Sequence, residues 1–397
     1  MTLRRRVVPT AVMSVVLGAV LTLSAGAATS WTVVGSPNRG TWVNALSDAS
    51  ATSAGNVWTV GNWYDVNLAS TRTLALRWNG SQWSSVTTPN VNNFYNELYG
   101  VDATSVNDAW AVGAFATGQS GGGNGNNGPH NTLAMHWNGS TWSRVATPNP
   151  GIQGRDLYDV EAFSTTNAWA VGYYLESGTT YETLVLHWNG TAWSQVDSPN
   201  PANYYNQLHG VSGSGPNDIW AVGAFVDRGQ PNGTRHPLAM HWNGSAWTQS
   251  DVPASGNAIL YSVTTISPTD AWAVGSKDGY RKPVAYHWNG SAWSEMPTPM
   301  VGTSGNNLFY AVTALGADKV WAVGYTSTSG GPQPLVERWD GTAWRVETTP
   351  APELGGLTQG IAAVPGTAPV VWAVGYKNVL VNGSMSNRTL TLRGLTR

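Results

Sequence analysis

Imidazole and guanidinium groups recur at one fixed place in this chain. Arg77, His136, His187, His241, His287 and Arg338 each precede a tryptophan, and Arg393 holds the matching place near the C-terminus. Four imidazoles at one register could suggest a metal centre. A ligand position does not interchange with arginine, however, and side chains spaced one per repeat would form a ring too wide for a single ion. The spacing therefore predicts a structural hydrogen bond or ion pair, with acids such as Asp108, Asp218 or Asp270 as partners. No metal and no cofactor is expected.

Aromatic residues offer a second chemistry. Trp63, Phe115, Tyr174 and Phe225 each stand two residues after a recurring glycine. Trp42, Phe94, Tyr95, Tyr204 and Tyr205 lie in connections that also hold Asn92, Asn93, Asn203 and Asn206. Rings interleaved with amides and few charges suit a neutral polar ligand such as a glycan, or a protein surface. The expected ligand-binding set is Trp63, Phe115, Tyr174, Phe225, Tyr95 and Tyr205. The alternative is that these rings only close the tops of packed sheets. Tyr99, Tyr158, Tyr261 and Tyr310, with His209 at the same register, are regular enough to read as packing.

Support for catalysis is thin. Glycoside hydrolysis needs two positioned carboxyl groups, and Glu97, Asp156, Glu161, Glu176 and Asp227 are scattered without an obvious pair. No nucleophile elbow, P-loop, dinucleotide fingerprint or zinc-protease helix occurs. No catalytic residue is assigned. A glycoside hydrolase or polysaccharide lyase working in one central cleft stays open as the alternative to a binding protein.

The elements that must position these residues are set by a repeat. A Trp-Ala-Val-Gly signature, or Trp-Thr-Val-Gly at the first, begins at Trp58, Trp110, Trp169, Trp220, Trp272, Trp321 and Trp372, at intervals of 52, 59, 51, 52, 49 and 51 residues. The one long interval contains a Gly/Asn-rich insertion, Gly118–Gly128. A Trp-Asn-Gly or Trp-Asp-Gly turn follows at Trp78, Trp137, Trp188, Trp242, Trp288 and Trp339, with a second tryptophan beyond it. Asn-Gly between apolar runs is a strong hairpin signal, because both central residues of a type I′ turn need positive φ. An upstream run, as in Leu98-x-x-Val101-x-Ala103, completes four short strands per repeat. We label them A (Leu-x-x-Val-x-Ala), B (the signature), C (ending in the turn tryptophan) and D. Such a unit is a propeller blade, and the B–C and D–A connections open on one face.

The repeated tryptophans are expected in the core between blades, since each ring buries about 150–250 Å². Trp31-Thr32-Val33-Val34 matches strand D, and Arg388–Gly394 matches strand C and then stops. The last repeat should borrow its fourth strand from the N-terminal side, hiding a sheet edge. The expectation is an all-β, seven-bladed β-propeller of four-stranded antiparallel blades, closed by the N-terminal strand.

The chain resembles a family of bacterial secreted repeat proteins with Trp-Ala-Val-Gly and His-Trp-[Asn/Asp]-Gly-[Ser/Thr]-x-Trp repeats. The C–D turn, for example Trp339-Asp340-Gly341-Thr342-Ala343-Trp344, resembles a degenerate Asp-box of sialidase-like propellers. The resemblance covers Trp31 to Arg397 and implies architecture, not an activity. The repeats lack the Gly-Gly doublet of kelch and the Gly-His…Trp-Asp frame of WD40.

Composition narrows the partners. Arg4–Arg6, the apolar run Val7–Leu23 and the small residues Ser24–Ala27 predict a signal peptide, residues 1–27, cleaved after Ala27. Residues 28–397 then form one domain of a secreted, extracellular protein without stable membrane insertion. No cysteine is present, which excludes disulfides, lipobox anchoring and thiolate metal sites. With 20 basic and 22 acidic residues in 397, and only four lysines, no basic stripe exists for nucleic acid. The expected protein is a monomeric, non-enzymatic binding propeller that meets a glycan or a protein at its loop-rich face.

Overall fold

The computed structural model describes residues 29–118, 129–226, 229, 233–253, 256–302, 305–366 and 369–395. The expected signal peptide, and the Gly118–Gly128 insertion beyond its first residue, lie outside these. Among the described residues there are strands but no α-helix, and no helix long and apolar enough to cross a membrane.

Each repeat contributes strands A to D in order. In the first repeat they are Asn44–Ser53, Asn56–Asp65, Ser70–Trp78 and Trp83–Val86, paired antiparallel as neighbours. The seventh has A at Gly356–Val364, B at Val370–Val381 and C at Ser384–Leu395. Its fourth strand is Ser30–Val33, in the register Ser30↔Leu395 to Val33↔Leu392. Thr29 and Trp31 fasten this splice to the sixth repeat. The Thr29 amide and the Trp31 indole both donate to the Glu347 carboxylate, at 3.2 and 2.6 Å.

The blade count needs a correction. Five sheets are discrete four-stranded blades, not seven; the third and fourth repeats share one eight-stranded sheet. The join is a parallel bridge, Tyr181↔Tyr205, between strand C of the third repeat (Thr180–Trp188) and strand A of the fourth (Tyr205–Gly215). The Tyr181 backbone amide donates to the Tyr204 carbonyl at 2.9 Å, and the Asn206 side-chain amide donates to the Tyr181 carbonyl at 3.1 Å. Both strands reach toward the loop face here, far enough for their edges to meet. Strand periodicity carries no mark of such a meeting.

The hairpin turns also differ from expectation. The pair Trp78↔Trp83 leaves Asn79–Gln82 as a four-residue loop. Gly80 has φ 98° while Asn79 stays at negative φ. The Asn79 side-chain oxygen accepts the Ser81 and Gln82 amides, both at 3.0 Å. The turn is therefore organised by an asparagine side chain, not by two left-handed residues.

Signature tryptophans wedge each sheet into the next. Trp58 of the first repeat meets Trp137 and Trp142 of the second at 5.0 and 5.1 Å. Trp372 of the seventh meets Trp78 and Trp83 of the first at 4.9 and 5.0 Å, closing the ring. The basic position before the C-strand tryptophan caps this stack. His136, His241 and His287 lie 2.6, 2.6 and 2.9 Å from Asp108, Asp218 and Asp270. The same imidazoles rest on Trp110, Trp220 and Trp272 at 4.6, 4.6 and 4.5 Å. Arg77 does the equivalent over Trp58 at 5.2 Å. Histidine and arginine interchange because each lays a flat nitrogen-bearing group on a ring and carries a nitrogen to the A–B turn.

Candidate functional site

The signature glycine links the repeat to the ring axis. A Cβ on Gly113, Gly172, Gly223 or Gly275 would lie 1.9–2.0 Å from a strand-A carbonyl oxygen, of Glu97, Asp156, Gln207 or Ile259. Strand A can crowd strand B in this way because each A–B pair carries a bulge at that point. The register skips one residue between Leu98 and Gly100, Leu157 and Asp159, Leu208 and Gly210, Leu260 and Ser262, and Phe309 and Ala311. The extra residues are Tyr99, Tyr158, His209, Tyr261 and Tyr310. A bulge re-aims the side chain it inserts.

These five residues form a continuous aromatic arc. Successive rings are 5.4, 5.1, 5.5 and 5.6 Å apart from Tyr99 through Tyr158, His209 and Tyr261 to Tyr310. All five are half-buried. The first and last repeats place Ser47 and Gln359 at the bulge, so the arc is open there. Lying at the start of strand A, it faces the end of the ring that carries the B–C and D–A loops.

A second row of rings leaves the arc in the third repeat. Tyr158, Tyr173, Tyr181 and Tyr205 follow one another at 5.7, 5.6 and 5.7 Å. The outer part of this row borders a cavity of about 370 Å³, lined by Tyr173, Tyr181, Tyr204, Tyr205, Gln207 and Arg235 among others. That size lies in the usual range for a small-ligand pocket, about 300–1,000 Å³.

Polar groups here are mutually engaged. Tyr95 bonds the Glu97 carboxylate and lies 2.5 Å from the Tyr99 hydroxyl. The Tyr173 hydroxyl donates to Asp156 at 2.7 Å, and His130 sits 3.2 Å from the same carboxylate. The Tyr205 hydroxyl donates to Gln207 at 2.5 Å. Burial pushes the Glu97 carboxyl up to about 7 and the His209 imidazole down to about 4, so His209 is neutral at neutral pH. Both carboxylates of the mouth, Glu97 and Asp156, are held by tyrosine hydroxyls.

Deeper on the axis, a cavity of about 220 Å³ is lined from every repeat and includes Asp48, Asp102, Asp159 and Glu161. Burial raises all four carboxyls, Asp48 to about 7 and Asp102 to about 6. Three of these acids have structural work. Asp48 accepts the Val101 amide at 2.9 Å, Asp102 the Ala162 amide at 2.8 Å, and Asp159 the Val211 amide at 2.9 Å. Ser212 and Ser262 accept the Thr265 and Val312 amides in the same manner, at 3.1 and 3.3 Å. The innermost strands thus have their free edge amides satisfied by the preceding repeat. Among the described residues no three His, Asp or Glu side chains form a metal-ligand set.

The residues singled out from sequence occupy varied places. Phe115, Tyr174 and Tyr95 are 6, 8 and 4% exposed. Phe115 lies under the Arg144 guanidinium at 4.8 Å, Tyr174 donates to Glu182 at 2.7 Å, and Tyr95 stacks on His130 at 5.0 Å. Trp63 and Phe225 are half-buried, the first 5.9 Å from the Arg39 guanidinium and the second stacked on His236 at 5.1 Å. Tyr205 is the member of the set that lines the 370 Å³ cavity. The arc's regular register reads as packing, and its rings do pack on one another, along the axis. The usable signal was the residue between Leu98 and Gly100, and its equivalents, on the innermost strand.

No family model matches the chain, and no curated protein matches it in sequence. Solved structures do match in fold. A structure described as YCF48 bound to D1 peptide is 15% identical, with a TM-score of 0.54 over 93% of this chain and 96% of that one. YCF48 from Cyanidioschyzon merolae is 15% identical, with a TM-score of 0.53 over 91% and 98%. A polysaccharide lyase of family PL25, an ulvan lyase bound to -[GlcA(1-4)Rha3S]-, is 10% identical, with a TM-score of 0.52 over 89% and 95%. Identity this low shows the fold alone. The chain is a β-propeller.

Proposed function

We propose that this chain is an exported, non-enzymatic propeller that binds a glycan across the tyrosine-lined mouth of its channel. The observation that carries the proposal is the row Tyr158–Tyr173–Tyr181–Tyr205 opening into a 370 Å³ cavity. Tyrosine presents an apolar face for a sugar ring, and a hydroxyl oxygen whose proton is already donated can still accept from a sugar hydroxyl. Gln207 adds an amide at the same wall. A binding role is favoured over hydrolysis because Glu97 and Asp156 are occupied by tyrosine hydroxyls. The fold is compatible with either polymer class, since structures of similar fold hold a peptide in one case and a saccharide in another.

Affinity electrophoresis in gels containing soluble polysaccharides tests the proposal. Retardation of the wild-type chain, and its loss in Tyr173→Ala/Tyr205→Ala, is the expected result. Cleavage of a polysaccharide, or retardation by none of them, would contradict it. Export rests on Arg4–Arg6 and the apolar run that follows. Strand pairing starts at Ser30, so cleavage after Ala27 leaves the closing strand whole. N-terminal sequencing of the secreted product should begin at Ala28.

A further inference from the structure

We propose that the ligand of this basin is an acidic glycan whose carboxylate is taken by Arg235, an inference that rests on the glycan reading above. The loop face uses its other partly buried arginines as ties. Arg72 donates to the Asn92 carbonyl at 2.8 Å. Arg155 donates to the carbonyls of Pro150 and Gly151 at 2.5 and 2.6 Å. Arg388 donates to the carbonyls of Trp42 and Thr41, both at 2.8 Å. In each case the guanidinium holds a D–A connection.

Arg235 is half-buried but used differently. Its backbone is pinned on both sides: the amide donates to Asn257 at 3.0 Å, and the carbonyl accepts from Ala258 at 3.0 Å. Its guanidinium has no hydrogen-bond acceptor or ion-pair partner among the described residues. It forms a wall shared by the 370 Å³ cavity and a smaller hollow that reaches Tyr280. Its charge reaches both Tyr205 of the outer row and His209 of the inner arc.

A half-buried guanidinium without an acceptor, in a cavity of sugar-sized rings, is arranged for a planar anion. Carboxylate fits its two-pronged donor geometry. Among the described acids, Asp156 by the same tyrosines has other partners. Asp156 is 5% exposed and turned to Tyr173 and His130. A uronic acid residue would combine both requirements, a ring for the tyrosines and a carboxylate for Arg235.

The test measures binding of the full chain to polygalacturonate, alginate and hyaluronate, each beside its carboxyl-reduced form, at physiological ionic strength. Sulfated dextran and poly-glutamate serve as further arms. At least one polyuronate should bind about tenfold or more tighter than its reduced form. Arg235→Gln should remove that difference without changing thermal melting, and Arg235→Lys should restore part of it. Equal binding of a polyuronate and its reduced form, or an Arg235→Gln chain that keeps the preference, overturns the Arg235 assignment alone. Binding to sulfated dextran but to no polyuronate overturns the carboxylate. Binding to poly-glutamate but to no polysaccharide, or no binding at all by a folded chain, overturns the glycan reading itself.

Discussion

Repeats two to four and repeats five to seven share one frame and differ in what they present at the axis. In both halves a signature glycine admits a bulge, and a tryptophan wedges into the next sheet. Two residues before the bulge of strand A, the second to fourth repeats carry Glu97, Asp156 and Gln207, whereas the fifth to seventh carry Ile259, Leu308 and Leu357. The channel acids follow the same bias, with Asp102, Asp159 and Glu161 against Ser262, Thr264 and Thr313. The second tyrosine row and its cavity also lie on the polar side. A frame repeated without exception leaves function to the places where one half departs from the other.

The largest effects should come from breaking the shared frame. A Cβ at Gly172 or at Gly275 would lie 1.9 Å from a backbone carbonyl oxygen. Gly172→Ala and Gly275→Ala should therefore each cost about 4 kcal/mol or more in chemical denaturation. Tolerance at one position only would show that the two halves do not share the bulge.

Next in size is a buried acid on the bland half. Glu337 is fully buried, neither of its carboxylate oxygens has a partner among the described residues, and burial pushes it up to about 8. The equivalent places hold Leu76, Met135, Leu186, Met240, Tyr286 and Leu392. Between the ordinary carboxyl value and pH 8 the folded chain keeps a proton that the unfolded chain has lost. Stability should therefore fall as pH rises through that window. Glu337→Met should stabilise the protein by about 3 kcal/mol at neutral pH and far less in acid. Melting curves across pH would check both sign and window.

Much of this frame was legible in the residues. The four strands, the tryptophan core, the split seventh repeat and the His–Asp pairs all follow from spacing and side-chain type. The joined sheet was not legible, because Tyr181 and Tyr205 meet through one backbone amide, which any residue could supply, and one Asn206 side chain, which the sequence does not mark as a bridge. The arc was hidden for a different reason. Tyr99 and its equivalents differ from packing residues only in being the inserted member of a bulge, and that depends on how Gly113 brings two strands together.

Binding should separate the halves next. Tyr173→Ala on the polar side should weaken glycan affinity about tenfold or more, and Tyr310→Ala on the other side about twofold or less. Titration calorimetry would compare them, and equal losses would mean that the whole arc, not one side of it, holds ligand. The smallest effect on stability is at half-buried Glu97, which is held up at about 7 by burial. Glu97→Gln, the residue type of Gln207, should add about 1–2 kcal/mol just above pH 7 and nearly nothing near pH 4. Denaturation at the two pH values would show whether the polar half carries this cost.

The most direct measurement is ring-labelled tyrosine NMR of the full chain during titration with a binding glycan, with resonances assigned by single Tyr→Phe variants. The account predicts that Tyr158, Tyr173, Tyr181 and Tyr205 shift together while Tyr310 and the core residue Tyr286 stay in place. Shifts confined to Tyr310 and Tyr325, or to tyrosines away from the channel mouth such as Tyr64, would contradict it.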